Sequence, residues 1–124
     1  MRRKEVVSFS DGTRDRLCKI ARRDGGPFCI WCSRQLSLTK GVPNTDGATT
    51  VDHIIPHSIC RRNDRDVLVL ACYRCNNKRG NMDAMEFMRF CRGMGWAFRE
   101  AIIRQAIDRA WDTQVERESA KCLT

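Results

Sequence analysis

The sequence predicts a small α+β fold, and three observations predict it. Two Cys-x-x-Cys pairs, Cys29/Cys32 and Cys72/Cys75, stand at the spacing of metal ligands. Two β-branched stretches between them, Thr49 to Ile54 and Val67 to Ala71, read as strands. Helical patterns flank this centre on both sides. A chain of 124 residues is one domain's worth of sequence. The expected plan is therefore a single domain, 1–124, with a metal-holding core at 29–80 and C-terminal helices at 84–119.

Residues 1–12 read as a basic arm. Thr13 to Arg23 suits a short helix with Leu17, Ile20 and Ala21 on one side, ended by Gly25-Gly26-Pro27. Cys29 to Cys32 forms a first knuckle with Ile30 and Trp31 between its ligands. Residues 37–48, with Gly41, Pro43, Asn44, Asp46 and Gly47, read as a loop or loose hairpin. A polar, Arg-rich loop, Ser58 to Asp66, joins the two strands. After the second knuckle a helical turn is expected from about Asn76 to Gly80-Asn81.

Asp83 followed by Glu86 resembles a capping box, opening a helix from Ala84 to Arg92 that Gly93 and Gly95 end. A longer helix is expected from Trp96 to Ser119. On it Trp96, Ile103, Ile107, Ala110 and Trp111 share a stripe, widened by Ile102, Ala106 and Val115, that reads as a core face.

The formal net charge of +8 points to a polyanionic partner, with simple solubility as the plainer explanation. Four thiolates on a divalent ion would remove two of these charges and leave the chain basic. Met1-Arg2-Arg3-Lys4-Glu5 is followed by no apolar stretch, so no secretory signal is read there. The apolar run Val67 to Cys72 is too short to cross a bilayer, so no membrane partner is expected. Cysteines paired as Cys-x-x-Cys then suit metal binding in a reducing cytoplasm better than disulfides.

Zinc takes four ligands in a tetrahedron, and two Cys-x-x-Cys turns complete such a site if the strands between them fold back. Cys18, Cys60, Cys91 and Cys122 lack that pattern and read as free thiols, some of them in the core. Asp52-His53 is the second chemical feature. An imidazole, with an ordinary pKa of about 6.5, is a competent base toward water at neutral pH. A carboxylate and an amide oxygen, as in Asp52 and Asn76, are hard ligands for a hydrated Mg²⁺.

Cys29-x2-Cys32, then Asp52-His53-Ile54-Ile55-Pro56-His57, then Leu68-Val69-Leu70-Ala71-Cys72-x2-Cys75-Asn76-x-Lys78-x-Gly80 strongly resembles the HNH endonucleases of the ββα-metal type that carry a four-cysteine zinc. The resemblance covers about residues 29–80. It implies a DNA nuclease that uses a structural Zn²⁺ and a catalytic Mg²⁺ or Mn²⁺, with Asp52 and Asn76 as metal ligands and His53 as general base. It is compatible with phage packaging, restriction, mobile elements or repair, and so with a phage-packaging or other protein partner. One position departs from the pattern: Val67 stands where the family carries its middle Asn. Asp66, Asn63 and Asp64 in the same loop are the candidates to replace it.

Arg61, Arg62 and Arg65 in the interstrand loop, with Arg74, Lys78 and Arg79 around the expected metal centre, read as phosphate contacts giving low sequence specificity. Two other functions compete with the nuclease. One is a zinc-stabilised nucleic-acid-binding module that does not cut and belongs to a larger assembly. The other is a secreted, disulfide-linked basic protein.

Overall fold

A computed structural model describes residues 11–38 and 46–123. The first ten residues of the expected basic arm, including Arg2, Arg3 and Lys4, and the middle of the loop expected at 37–48 lie outside the described residues, as does the Cys122 side chain. Helix α1 (Asp11–Arg23) leads to the first cysteine pair. Strand β1 (Thr49–His53), a one-turn helix α2 (His57–Cys60), a 3-10 turn at 65–67 and strand β2 (Leu68–Cys72) follow. Helix α3 (Tyr73–Arg79), α4 (Ala84–Gly93) and α5 (Glu100–Leu123) complete the order. The α+β expectation holds, with a small metal-binding ββα unit flanked by helices.

The two strands pair antiparallel, with Val51 opposite Leu70 at the centre, Thr49 opposite Cys72 and His53 opposite Leu68. Further backbone bonds extend the ribbon at both ends, Ile54 N–H to Val67 C=O at 2.9 Å and Tyr73 N–H to Ala48 C=O at 2.8 Å. An isolated two-stranded ribbon is marginal in water, so covering its faces is what makes it stable. Every residue of β2 is buried. Ile30 N–H donates to Leu70 C=O at 3.2 Å, which hangs the first cysteine turn on β2. On the α1 side, Arg23 donates to Leu68 C=O and Arg65 C=O, both at 2.7 Å.

Helix α3 begins at Tyr73, earlier than expected. Cys72 is its N-cap, with Sγ accepting from Cys75 N–H at 3.5 Å. The second Cys-x-x-Cys is therefore the first turn of the helix, which points both sulfurs the same way. Gly80 ends α3 at φ +54°, a conformation glycine adopts without strain. Asp83 caps α4 as expected, accepting from Met85 N–H at 3.0 Å and Glu86 N–H at 3.4 Å.

The long helix corrects its expectation at both ends. It starts at Glu100, and Trp96 lies in the preceding linker, edge-on to Phe90 at 5.7 Å. Ile103, Ala106 and Ala110 are fully buried, but Trp111 is 45% and Val115 59% exposed. Trp111 and Val115 sit on the outer flank of the stripe, whereas the helix stays covered beyond Ala110, where Thr113 Oγ1 accepts from Arg62 and Gln114 Oε1 accepts from Cys60.

Candidate active site

The sulfurs of Cys29, Cys32, Cys72 and Cys75 all lie within 4.8 Å of one another. Cys32 Sγ and Cys72 Sγ are 3.9 Å apart. Four thiolates about 2.3 Å from one tetrahedral ion stand close to that separation, so this set is positioned to bind a metal ion and suits structural zinc. The first turn depends on Ser33, held at φ +65°, whose N–H donates to Cys29 C=O at 2.8 Å. Crowded sulfurs share protons unequally. Hydrogen bonding with Cys29 draws Cys32 down to about 6 and Cys72 down to about 2, whereas Cys29 is pushed up, first by its bond with Cys32. Cys75 is likewise pushed up on balance, so two of the four thiols are drawn toward thiolate and the other two would give up protons when a zinc ion binds.

Trp31 sits between the first two ligands, fully buried and edge-on to Phe87 with ring centroids 4.9 Å apart. A buried indole needs an acceptor. Trp31 Nε1 donates to Asp52 Oδ2 at 3.0 Å. The same oxygen accepts from Arg79 Nη1 at 3.0 Å, and the two charged side chains are 5% and 1% exposed. Neither contact uses Oδ1.

Strand alternation puts Thr50 and Asp52 on one face of β1 and Val51 and His53 on the other. Helix α3 covers the first face. Asn76 Nδ2 donates to Thr50 Oγ1 at 2.9 Å and to Val51 C=O at 3.0 Å. These bonds orient the amide, and they leave Asn76 Oδ1 buried without a hydrogen-bond partner. A buried carbonyl oxygen without a donor is costly unless a ligand satisfies it. A hard divalent cation is a fitting one.

On the opposite face His53 Nε2 pairs with Asn63 Oδ1 at 2.8 Å. The His57 ring stands edge-on to His53, with centroids 5.1 Å apart. Of the three candidates to replace the middle Asn, Asn63 is the one bonded to the imidazole. Val67 is instead a core residue, 1% exposed.

The expected phosphate contacts divide in two. Arg61, Arg65 and Lys78 are exposed. Arg62 and Arg79 are buried, which corrects their expected place on a DNA-facing surface. Arg62 is drawn inward by Asp64, Thr113 and the Ala110 carbonyl, and Arg79 by Asp52 and backbone carbonyls. Arg74 is also committed elsewhere. Its guanidinium lies 4.1 Å from the Trp96 ring centroid and Nη2 is 3.6 Å from Cys75 Sγ.

Sequence reasoning did not find Trp31 or Arg79 as partners of Asp52. The one available signal was a tryptophan inside a metal knuckle, which must bury its N–H next to the sheet. Nothing local marks Arg79 as different from Lys78. Residues 29–82, less than half of the chain, match the family model described as HNH endonuclease. No curated protein matches the chain.

Proposed function

We propose that the HNH unit at residues 29–82 is a metal-dependent endonuclease that hydrolyses phosphodiester bonds in DNA with low sequence specificity. The observation that carries this reading is the unpaired, buried Oδ1 of Asn76, on the helix that covers the Asp52 face of β1, with His53 on the other face. Asp52 and Asn76 hold the divalent ion, and His53 takes the proton from the attacking water. Bound there, Mg²⁺ or Mn²⁺ supplies charge neutralisation at the scissile phosphate and at the leaving 3′ oxygen. Asn63 fixes the imidazole ring for its task. The products are a 5′ phosphate and a 3′ hydroxyl. Structural zinc joins the two cysteine turns and takes no part in the chemistry. Exposed Arg61, Arg65 and Lys78 hold the duplex by its phosphates, which carry no base information.

The test is plasmid nicking by purified, zinc-loaded protein in Mg²⁺ or Mn²⁺. His53→Ala should abolish cleavage while leaving DNA binding intact, and equal nicking by the two proteins would refute the assigned base.

One observation favours the non-cutting alternative. The ion pair between Asp52 and Arg79 is almost fully buried, so a cation already stands against the carboxylate. Band shifts that persist in chelator, with no cleavage in any divalent metal, would decide for a binding module.

A further inference from the structure

Arg79 makes more directed bonds than a surface cation needs. Nη1 donates to Asp52 Oδ2 at 3.0 Å and to His53 C=O at 2.7 Å. Nη2 donates to Ile54 C=O at 2.7 Å, and Nε to Met82 C=O at 2.9 Å. The guanidinium carbon also stands 5.1 Å from the centroid of the Trp31 ring. One side chain on the last turn of α3 thus grips the carboxylate of Asp52 together with the consecutive carbonyls of His53 and Ile54. The planar fork is suited to this; a lysine ammonium could not span the same acceptors.

We infer that Arg79 is a positioning residue with two separable effects. Its bonds to the His53 and Ile54 carbonyls fix the end of β1 from which His53 projects. Its charge, against Oδ2 in a site shielded from water, opposes a second cation at the same carboxylate and so holds metal affinity down. Trp31 acts on the same oxygen from the zinc side. Asp52 is left to offer Oδ1, one oxygen in place of two. The inference rests on the reading of Asp52 as a cation ligand.

The experiment is a Mn²⁺ titration of the zinc-loaded full chain without DNA, with free Mn²⁺ followed by electron paramagnetic resonance. Plasmid nicking and zinc content are measured on the same samples. Arg79→Gln should bind Mn²⁺ severalfold more tightly than wild type and nick about 10-fold or more slowly. Loss of a merely structural residue would weaken both. Asp52→Asn separates the two levels of the argument. Unchanged Mn²⁺ binding in that variant would remove the ligand reading itself. Asp52-dependent binding that Arg79→Gln leaves no tighter would overturn only the role given to Arg79. Should Arg79→Gln lose its zinc, Arg79→Lys decides. With the charge kept and the fork lost, it should bind Mn²⁺ like wild type and nick about 10-fold or more slowly. Nicking at the wild-type rate, or joint loss of zinc and Mn²⁺ binding, would overturn the inference.

Discussion

His53 Nε2 and Asn63 Oδ1 stand 2.8 Å apart, joining the end of β1 to the loop that returns to β2. A ring tethered at one nitrogen presents the other in a fixed direction, and which nitrogen carries the proton follows from that tether. The loop itself is pinned from behind, because the Arg16 guanidinium donates to the Asn63 carbonyl. Backbone and side chain of Asn63 therefore work in opposite directions, one toward α1 and one toward the imidazole.

Asn63→Ala should slow cleavage about 10- to 100-fold, the usual effect of losing the group that orients a functional histidine. Asn63 is exposed, so stability should move by no more than about 0.5 kcal/mol. Plasmid nicking beside urea unfolding checks both parts. Unchanged nicking would mean that the loop orders His53 by other contacts.

Cys72→Ser should unfold the core. Cys72 Sγ is one of four clustered sulfurs and also the N-cap acceptor of α3. Metal binding in such units is folding free energy, about 10 kcal/mol or more in zinc-finger peptides. Far-ultraviolet circular dichroism and zinc content should collapse together, in this variant and in wild type treated with a strong chelator. A folded, zinc-free Cys72→Ser protein would contradict the structural role.

The free cysteines should divide by burial. Burial pushes the Cys91 thiol up to about 11. At pH 8 its thiolate fraction is then on the order of 10⁻³, and the side chain is fully buried as well. Cys18 and Cys60 are only partly buried. Brief alkylation of native, zinc-loaded protein followed by mass spectrometry should mark Cys18 and Cys60 and spare Cys91. Marking of Cys91 at the same rate would show that α4 opens easily.

Local chemistry made part of this fold legible in the chain. The cysteine spacing, the β-branched strands and the Asp83 cap each act within a few residues, and each is where the sequence puts it. Partnerships across the fold were not legible. Trp31 and Asp52, or Arg62 and Thr113, are joined by packing that no local pattern records. Val67 departs from the family pattern because its place on the turn into β2 is a core slot, while Asn63 carries the polar contact. The stripe expected on α5 is too wide: Ile103, Ala106 and Ala110 form its buried line, Trp111 and Val115 lie on the exposed flank, and Trp96 precedes the helix. Apolar periodicity does not say which part of a wide stripe the fold covers.

Arg62 and Arg61 are sequence neighbours with opposite expected effects. Arg62 Nη2 donates to Thr113 Oγ1 at 2.8 Å and to Asp64 Oδ2 at 2.9 Å, and Nη1 donates to Ala110 C=O at 3.2 Å. These bonds hold the interstrand loop against α5. Arg62→Met should cost about 1 to 3 kcal/mol in urea unfolding, the range for losing charge-assisted bonds at a buried site, with little change in DNA affinity. Arg61 is exposed, so Arg61→Ala should leave stability alone and reduce the salt dependence of DNA binding by about one unit of slope. The pH dependence separates this ion pair from the zinc site. Hydrogen bonding with Arg62 holds the Asp64 carboxyl below its ordinary 3.8. A depressed carboxyl contributes stability that is fully present above the unfolded value and is lost only as pH falls from there through the folded one. The deficit of Arg62→Met should therefore be the same at pH 7 and pH 5. Unfolding of wild type within that interval belongs to protonation of the cysteine ligands and release of their ion. A deficit that shrinks between pH 7 and pH 5 would show that Asp64 titrates higher than its pairing with Arg62 allows.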